Sequence, residues 1–261
     1  MAVLARVKLK SGDRKILGLR FYSGDVQGAV ARMRGEGGLL VVPAAPALKD
    51  LATNISYRQA LLDADVVIAD SAFMVLIWNL LESDSLKRLS GLQYLRYLLN
   101  LSEVREPGNT FWIMAGPASR ARNREWLKND GIDLPDGCIY EAPTYGAEIR
   151  DDVLVKLLNG LKPKHVVVTL GGGTQERLGL YLKQSLGYRP AIHCIGAAIA
   201  FLSGDQVRIP MWADKYYLGW LFRCLSSPTT YIPRYWSARR LFPMMIRYRS
   251  ELPIPDAGEV C

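Results

Sequence analysis

The sequence predicts an α/β protein: a mostly parallel, Rossmann-like sheet covered by helices on both faces, with a basic, aromatic, helical C-terminal appendage. Three observations carry that expectation. Continuous apolar runs of strand length (39–42, 66–69, 110–114, 166–170) alternate with segments whose apolar residues recur at helical spacing. That is the pattern of strands buried on both faces beneath crossover helices. One run ends at Gly171-Gly172-Gly173 and passes at once into an amphipathic segment, reading as strand, tight turn, helix. Beyond residue 204 the composition changes: Arg208 to Arg249 holds eight Lys or Arg against Asp214 alone, with ten aromatic residues interleaved.

Taken in order, residues 15–22 read as a first strand. Residues 25–34 read as a helix ended by Gly35-Glu36-Gly37-Gly38. The apolar run at 39–42 is stopped by Pro43 and Pro46; Leu48, Leu51 and Ile55 mark a helix, and Ser56 with Gln59 has the form of a capping box. Val66-Val67-Ile68-Ala69 is a strand followed directly by Asp70-Ser71. Residues 72–81 are apolar almost all round, so a buried helix is expected. Leu92, Leu95 and Leu99 give a further helix, and the strand 110–114 ends at Ala115-Gly116-Pro117. A helix through Trp126 and Leu127, a short strand near 138–140 and a helix over 147–161 lead to the glycine turn. There Thr174 is the expected N-cap, with Glu176 in the first turn, where the helix dipole favours negative charge. No repeat or low-complexity linker interrupts the chain, which divides into an α/β core (1–204) and the appendage (205–261).

A length of 261 residues is ample for a buried core. The formal charge of +8, of which +7 lies between Arg208 and Arg249, calls for an anionic partner: nucleic acid, anionic lipid or a phosphorylated substrate. Cys138, Cys194, Cys224 and Cys261 are widely spaced and the only histidines are His165 and His193, so neither a zinc site nor a disulfide framework is expected. No apolar run approaches the ~18 residues that cross a bilayer. The expected home is the cytoplasm or a membrane surface.

Two places suit chemistry. The glycines of the turn let a ligand approach the backbone, and free N–H groups at the helix start suit an anion such as phosphate. The same turn also serves where nothing binds. Asp70 follows a strand's carboxyl end, where open α/β sheets hold ligands, yet Asp is also a common helix cap. The basic aromatic tail suits a bilayer interface, single-stranded nucleic acid, or simply a solvated helix packed on the core.

The order of these pieces resembles the WecG/TagA/CpsF glycosyltransferases. Asp70-Ser71 stands for an Asp-Gly pair, and Leu170-Gly171-Gly172-Gly173-Thr174-Gln175-Glu176 for a Leu-Gly-x-Pro-x-Gln-Glu turn. Arg208-Ile209-Pro210 stands for an Arg-Ala-Pro element, Trp220-Leu221-Phe222-Arg223 for a Trp-Leu-Tyr-Arg segment, and Arg234-Tyr235 completes the order. The resemblance runs from about Ile16 to Trp236. It implies an inverting transfer of a sugar from a UDP-sugar to a polyprenyl-diphosphate-linked saccharide, without metal or cofactor, in bacterial surface polysaccharide or teichoic-acid linkage-unit synthesis. It further implies peripheral binding to the anionic cytoplasmic face of the inner membrane. Asp70 would be the general base. Arg88, Gly171, Gly172, Gly173, Thr174, Gln175, Glu176, Arg208 and Arg223 would bind substrate, with the basic residues reaching diphosphate.

Departures from the family pattern bear on the donor. A Thr-Pro-Asn-Ala element is here Val42-Pro43-Ala44-Ala45, Ser71 replaces a Gly, Gly173 a Pro, and Gln93 an Asp. They leave glucose open beside N-acetylmannosamine or its uronic acid. A homo-oligomer is also left open. Two other readings are a nucleic-acid-binding module using the tail, and a dinucleotide-dependent oxidoreductase. The second is disfavoured because no turn spells G-x-G-x-x-G.

Overall fold

A computed structural model describes residues 13–204 and 219–255. Its strands are β1 (Arg14–Ile16), β2 (Leu19–Tyr22), β3 (Gly38–Val41), β4 (Val66–Ile68), β5 (Thr110–Met114), β6 (Ile139–Glu141), β7 (His165–Val168) and β8 (Ala191–Cys194). They form one sheet in the order β1-β2-β4-β3-β8-β7-β5-β6. Every described pair is parallel except the β1–β2 hairpin. The single first strand expected over 15–22 is therefore two. Leu17 takes φ 49° and Gly18 φ 76°, turning the chain back between them. The expected α/β architecture is present.

The helices follow the crossovers. They are α1 (Val26–Glu36), α2 (Ala45–Leu48), α3 (Ile55–Leu62), α4 (Ala72–Glu82), α5 (Gly91–Leu99), α6 (Ser102–Arg105), α7 (Pro117–Asn129), α8 (Asp152–Leu161), α9 (Thr174–Ser185), α10 (Ala200–Ser203), α11 (Gly219–Ser226), α12 (Pro228–Ala238) and α13 (Leu241–Tyr248). Alternate strand residues feed two apolar layers, as the two-residue strand period requires. Leu39, Val41, Phe111, Ile113, Val166 and Val168 pack with α3, α4, α8 and α9 on one side. Leu40, Trp112, Met114 and Val167 pack with α1, α5 and α7 on the other. Ala238, Leu241 and Met245 of the appendage belong to the first layer. The backbone N–H groups of Leu17 and Gly18 donate to the carbonyls of Arg249 (2.7 Å) and Ser250 (3.0 Å). The appendage is thus built into the core packing.

Several caps differ from the sequence reading. Asn54, not Ser56, caps α3 by accepting from Tyr57 N (2.9 Å). The helix expected over 147–161 begins only at Asp152, capped by Asp151. Helix α4 is not wholly buried: Phe73, Leu76 and Leu80 are 41%, 55% and 80% exposed. Its opposite side, with Met74, Val75, Ile77 and Trp78, is the buried one.

Within the second layer lies a buried polar chain. The Tyr94 hydroxyl is 2.9 Å from His193 Nδ1, His193 Nε2 is 3.1 Å from His165 Nδ1, and His165 Nε2 is 3.3 Å from Glu103 Oε1. If Glu103 accepts, one arrangement of neutral rings satisfies every nitrogen: Tyr94 donates to His193, His193 to His165, and His165 to Glu103. Burial pushes both imidazoles below their ordinary range; His165 further disfavours charge on His193, while Glu103 partly opposes the effect on His165. That keeps the arrangement neutral.

Glu176, at the glycine turn, is a further buried ionisable group. Burial raises its carboxyl to about 7, although Gln175 and the Gly173 N–H (2.6 Å) hydrogen-bond to it. A folded-state value above the unfolded one means that the fold gains stability as pH falls from 7 towards 4.5, and loses it as pH rises through 7. Glu176→Gln keeps an acceptor for Gly173 N–H and removes this dependence. Urea unfolding of parent and variant at about pH 5 and about pH 8 should show the parent losing ground to the variant at the higher pH. Parallel stabilities would mean that the carboxyl titrates in its ordinary range.

Candidate functional site

In a parallel sheet every strand's carboxyl end lies at one edge. The neighbouring strands β4, β3, β8, β7 and β5 bring Asp70, Val42, Gly196, Thr169 and Ala115 to that edge. There these residues line a cavity of about 350 Å³. Such an edge is where doubly wound sheets bind ligands. Volumes of this order suit small molecules.

Asp70 does not cap α4. Ser71 does, its hydroxyl accepting from Met74 N (3.2 Å). Asp70 is instead held by Arg88, whose Nε donates to the Asp70 carbonyl (2.6 Å) and whose Nη2 donates to Oδ1 (2.8 Å). Gly91 N, at the start of α5, also approaches Oδ1 (3.3 Å). All the described side-chain contacts of Asp70 fall on Oδ1. The carboxylate is fixed in orientation and keeps one oxygen for another partner, with 28% of its side chain exposed.

The glycine turn is built from the same edge. Gly173, at φ 90°, is the N-cap of α9, and Thr174 is the first helical residue instead of the cap. A β-carbon on Gly171 would meet nothing within 4 Å, and on Gly172 only Ala47, at 3.9 Å. Packing therefore does not require glycine at those two positions, and the open backbone fits close approach by a ligand. Gln175 accepts from Gly196 N (2.6 Å) through Oε1, and its backbone carbonyl accepts from Cys194 Sγ (3.1 Å). It latches the turn after β7 to the loop after β8. Arg177 ties the turn to the β6–α8 loop by donating to the carbonyls of Gly173, Gly146 and Ala147.

The appendage closes the cavity with Arg223, Tyr231 and Arg234. Arg223 donates to the Tyr235 hydroxyl (3.2 Å) and lies 4.6 Å above the Phe201 ring. Its Nε is buried with no described hydrogen-bond partner. Arg223 lines the cavity, and a guanidinium is a donor suited to an anion, bidentate where the anion is a phosphate. A second cavity, of about 390 Å³, shares Asp70, Arg88 and Arg223 with the first and is walled by Pro46, Phe73, Leu76 and Trp220.

Of the residues expected from sequence, Asp70, Arg88, Gly171, Gly172, Gln175 and Arg223 line the first cavity. Gly173, Thr174 and Glu176 support the turn from behind, and Arg208 lies outside the described residues. Tyr231, Arg234, Ser90 and Ser119 were not expected as site residues; for Arg234 the signal was its place in the family order. The departure at Val42 and Ala44 falls on the cavity wall, which there offers no side-chain hydrogen bond. The chain's one Asp-x-Asp, Asp63-Ala64-Asp65, is remote. It lies before β4, where Asp65 pairs with Lys183 (2.7 Å) and Arg189 (2.9 Å). Among the described residues, Asp70 is the single carboxylate lining either cavity, a poor ligand set for a divalent cation.

Two comparisons with known proteins bear on the chain. The family described as "Glycosyl transferase WecG/TagA/CpsF family" matches residues 14–253. A relative from Bacillus spizizenii (strain ATCC 23059 / NRRL B-14472 / W23) is 24% identical over 212 residues, covering 77% of this chain and 78% of its own. That protein is named N-acetylglucosaminyldiphosphoundecaprenol N-acetyl-beta-D-mannosaminyltransferase. Neither the nucleic-acid reading nor the oxidoreductase reading finds support in these matches. With the match spanning hairpin, sheet, glycine turn and appendage, the chain belongs to the WecG/TagA/CpsF family and is a glycosyltransferase.

Proposed function

We propose that the chain transfers a sugar from a UDP-sugar to a saccharide carried on a polyprenyl diphosphate, acting at the cytoplasmic face of a bacterial inner membrane. The observation that carries this reading is the meeting of one oriented carboxylate, Asp70, with Arg223 and Arg234 over an open glycine turn. The acceptor class is taken from the relative's name. The UDP donor is what the family resemblance implies, and the guanidinium groups at the rim suit its diphosphate.

In this mechanism the acceptor hydroxyl attacks the anomeric carbon while its proton passes to Asp70. The bond from that carbon to the nucleotide oxygen breaks, and UDP leaves with the electron pair. A positioned carboxylate suits the first event. Arg223 and Arg234, beside the exposed backbone of Gly171 and Gly172, suit the charge that develops on the leaving phosphate. Arg88 acts through Asp70, holding it in register, and Gln175 acts by fixing the turn.

Asp70→Asn preserves the contact with Arg88 Nη2 and removes the proton acceptor. Turnover of a UDP-sugar with a lipid-linked acceptor should fall by roughly 10²-fold or more, with UDP affinity by calorimetry little changed. A rate within a few-fold of the parent would deny Asp70 the role of base.

EDTA should leave the rate unaltered. Arg223→Ala should cost more than Arg223→Lys, since lysine keeps the charge and loses the fork. Full inhibition by EDTA that magnesium or manganese reverses would replace arginine with metal in the account of the leaving group.

Membrane docking is proposed for the appendage, because no described helix is long and apolar enough to cross a bilayer. Leu225, Ile232 and Phe242 of the appendage are 72%, 52% and 44% exposed, and Arg239, Arg240 and Arg247 of the same appendage are exposed too. Each basic residue near an anionic surface contributes about 1 kcal/mol, weakened by salt. The parent should sediment with anionic liposomes and come off only partly at high salt. Replacing Leu225, Ile232 and Phe242 together by Ser should release it. Point variants are the right tool, because removing the appendage would uncover the core around Leu241 and Met245. Equal sedimentation of parent and variant would exclude these residues as the membrane contact.

A further inference from the structure

We infer that the second cavity seats the first isoprene units of the acceptor's lipid, so that α4 of the core, and not the appendage alone, reads the carrier. The inference rests on the proposed acceptor class and adds to it a binding site and the residues that form it.

The two cavities meet at Asp70, Arg88 and Arg223 and differ beyond that point. One continues over the glycine turn. The other continues between Pro46, Phe73 and Leu76 of the core and Trp220 of the appendage. A ligand spanning the second would place an anionic head among the guanidinium groups and an apolar body between apolar walls. A prenyl diphosphate has that division of chemistry, and its order along the molecule matches the order along the cavity.

Helix α4 supplies the apolar track. Phe73, Leu76 and Leu80 stand at i, i+3 and i+7, one face of the helix, and all three are exposed. Soluble proteins seldom leave such a row bare without a use for it. Phe73 comes three residues after Asp70, and the helix rises ~1.5 Å per residue. The row therefore leads away from the carboxylate for roughly 10 Å before it ends at Leu80. The near end, at Phe73 and Leu76, lines the cavity, and Leu80 stands beyond it. Across the gap, Trp220 is 50% exposed, and Arg239, 4.2 Å from the Trp236 ring, adds a further cation to the cavity wall.

Other occupants would behave differently. Bilayer acyl chains would need only exposed apolar residues, Leu80 as much as Leu76, and no anionic head. A second copy of this chain would bind without any lipid.

Two measurements test the inference without membranes. The first uses intrinsic tryptophan fluorescence to compare binding of farnesyl diphosphate with binding of inorganic diphosphate. The parent should prefer the farnesyl compound by at least about tenfold, the effect of taking roughly two methylenes out of water. In Leu76→Ser and Phe73→Ala that preference should collapse towards one, while Leu80→Ser should keep it. The second compares KM for N-acetylglucosaminyl diphosphate acceptors carrying farnesyl or a short alkyl chain, and should show the same collapse in the same variants. An unchanged preference in Leu76→Ser and Phe73→Ala would overturn the inference, and so would an equal loss in Leu80→Ser. Farnesyl diphosphate binding that follows this pattern while no acceptor is turned over would uphold the lipid site and sink the proposed transfer reaction instead.

Discussion

Parallel strands can be joined only by crossovers, and every crossover here leaves from the same edge of the sheet. That constraint gathers the residues after β3, β4, β5, β7 and β8 into one rim without any of them being adjacent in sequence. It also demands cover on both faces, which the two apolar layers provide. The edge strand β6 and the hairpin β1–β2 contribute to the sheet and nothing to the rim. The appendage then packs against the first layer through Ala238, Leu241 and Met245, and that packing brings Arg223 and Arg234 over the rim. Site and core are thus consequences of one arrangement.

Charge at the rim is held in place by contacts that each use only part of a group. Arg88 grips both the carbonyl and one carboxylate oxygen of Asp70, fixing its direction while leaving its other oxygen available. Gln175 is 2% exposed and its Oε1 is taken by Gly196 N, so its contribution to a ligand is shape and position more than hydrogen bonding. Glu176 is buried where burial opposes its charge, yet the Gly173 N–H and the helix start favour the anion. The balance leaves it near neutrality, and the turn is closed by an internal hydrogen bond that does not occupy the face toward the cavity.

The sheet was legible in the sequence because apolar runs such as Val166-Val167-Val168 need nothing beyond period and length to be read. Asp70 and the glycine turn were legible as candidate sites because each follows such a run. Caps were less so: Gly173 in place of Thr174, Ser71 in place of Asp70 and Asn54 in place of Ser56 all depend on local φ and ψ. Helix α4 differs from the expectation because an all-round apolar pattern describes a buried helix and a half-exposed one equally well. Only the packing separates Met74 from Leu76. Arg234 and Tyr231 were hidden in a tail where basic and aromatic residues are common, so composition could not single them out.

The sharing of Arg223 between the two cavities has a chemical consequence. If one cavity takes the diphosphate of the donor and the other that of the acceptor, two anionic groups come within reach of one guanidinium. Arg234 lines the first cavity and Arg239 the second, so each diphosphate would also have a cation of its own. Bringing both substrates together is then tolerable, because the repulsion between them is offset by a cation they share. The sharing also ties the two events of the reaction. As the nucleotide leaves and its phosphate gains charge, it draws more strongly on Arg223, and the hold on the lipid diphosphate weakens in the same step. On the proposed reading, an arginine on the element that packs against the core, between two cavities that meet at Asp70, would thus link leaving-group stabilisation to release of the lengthened lipid without any conformational change in the sheet.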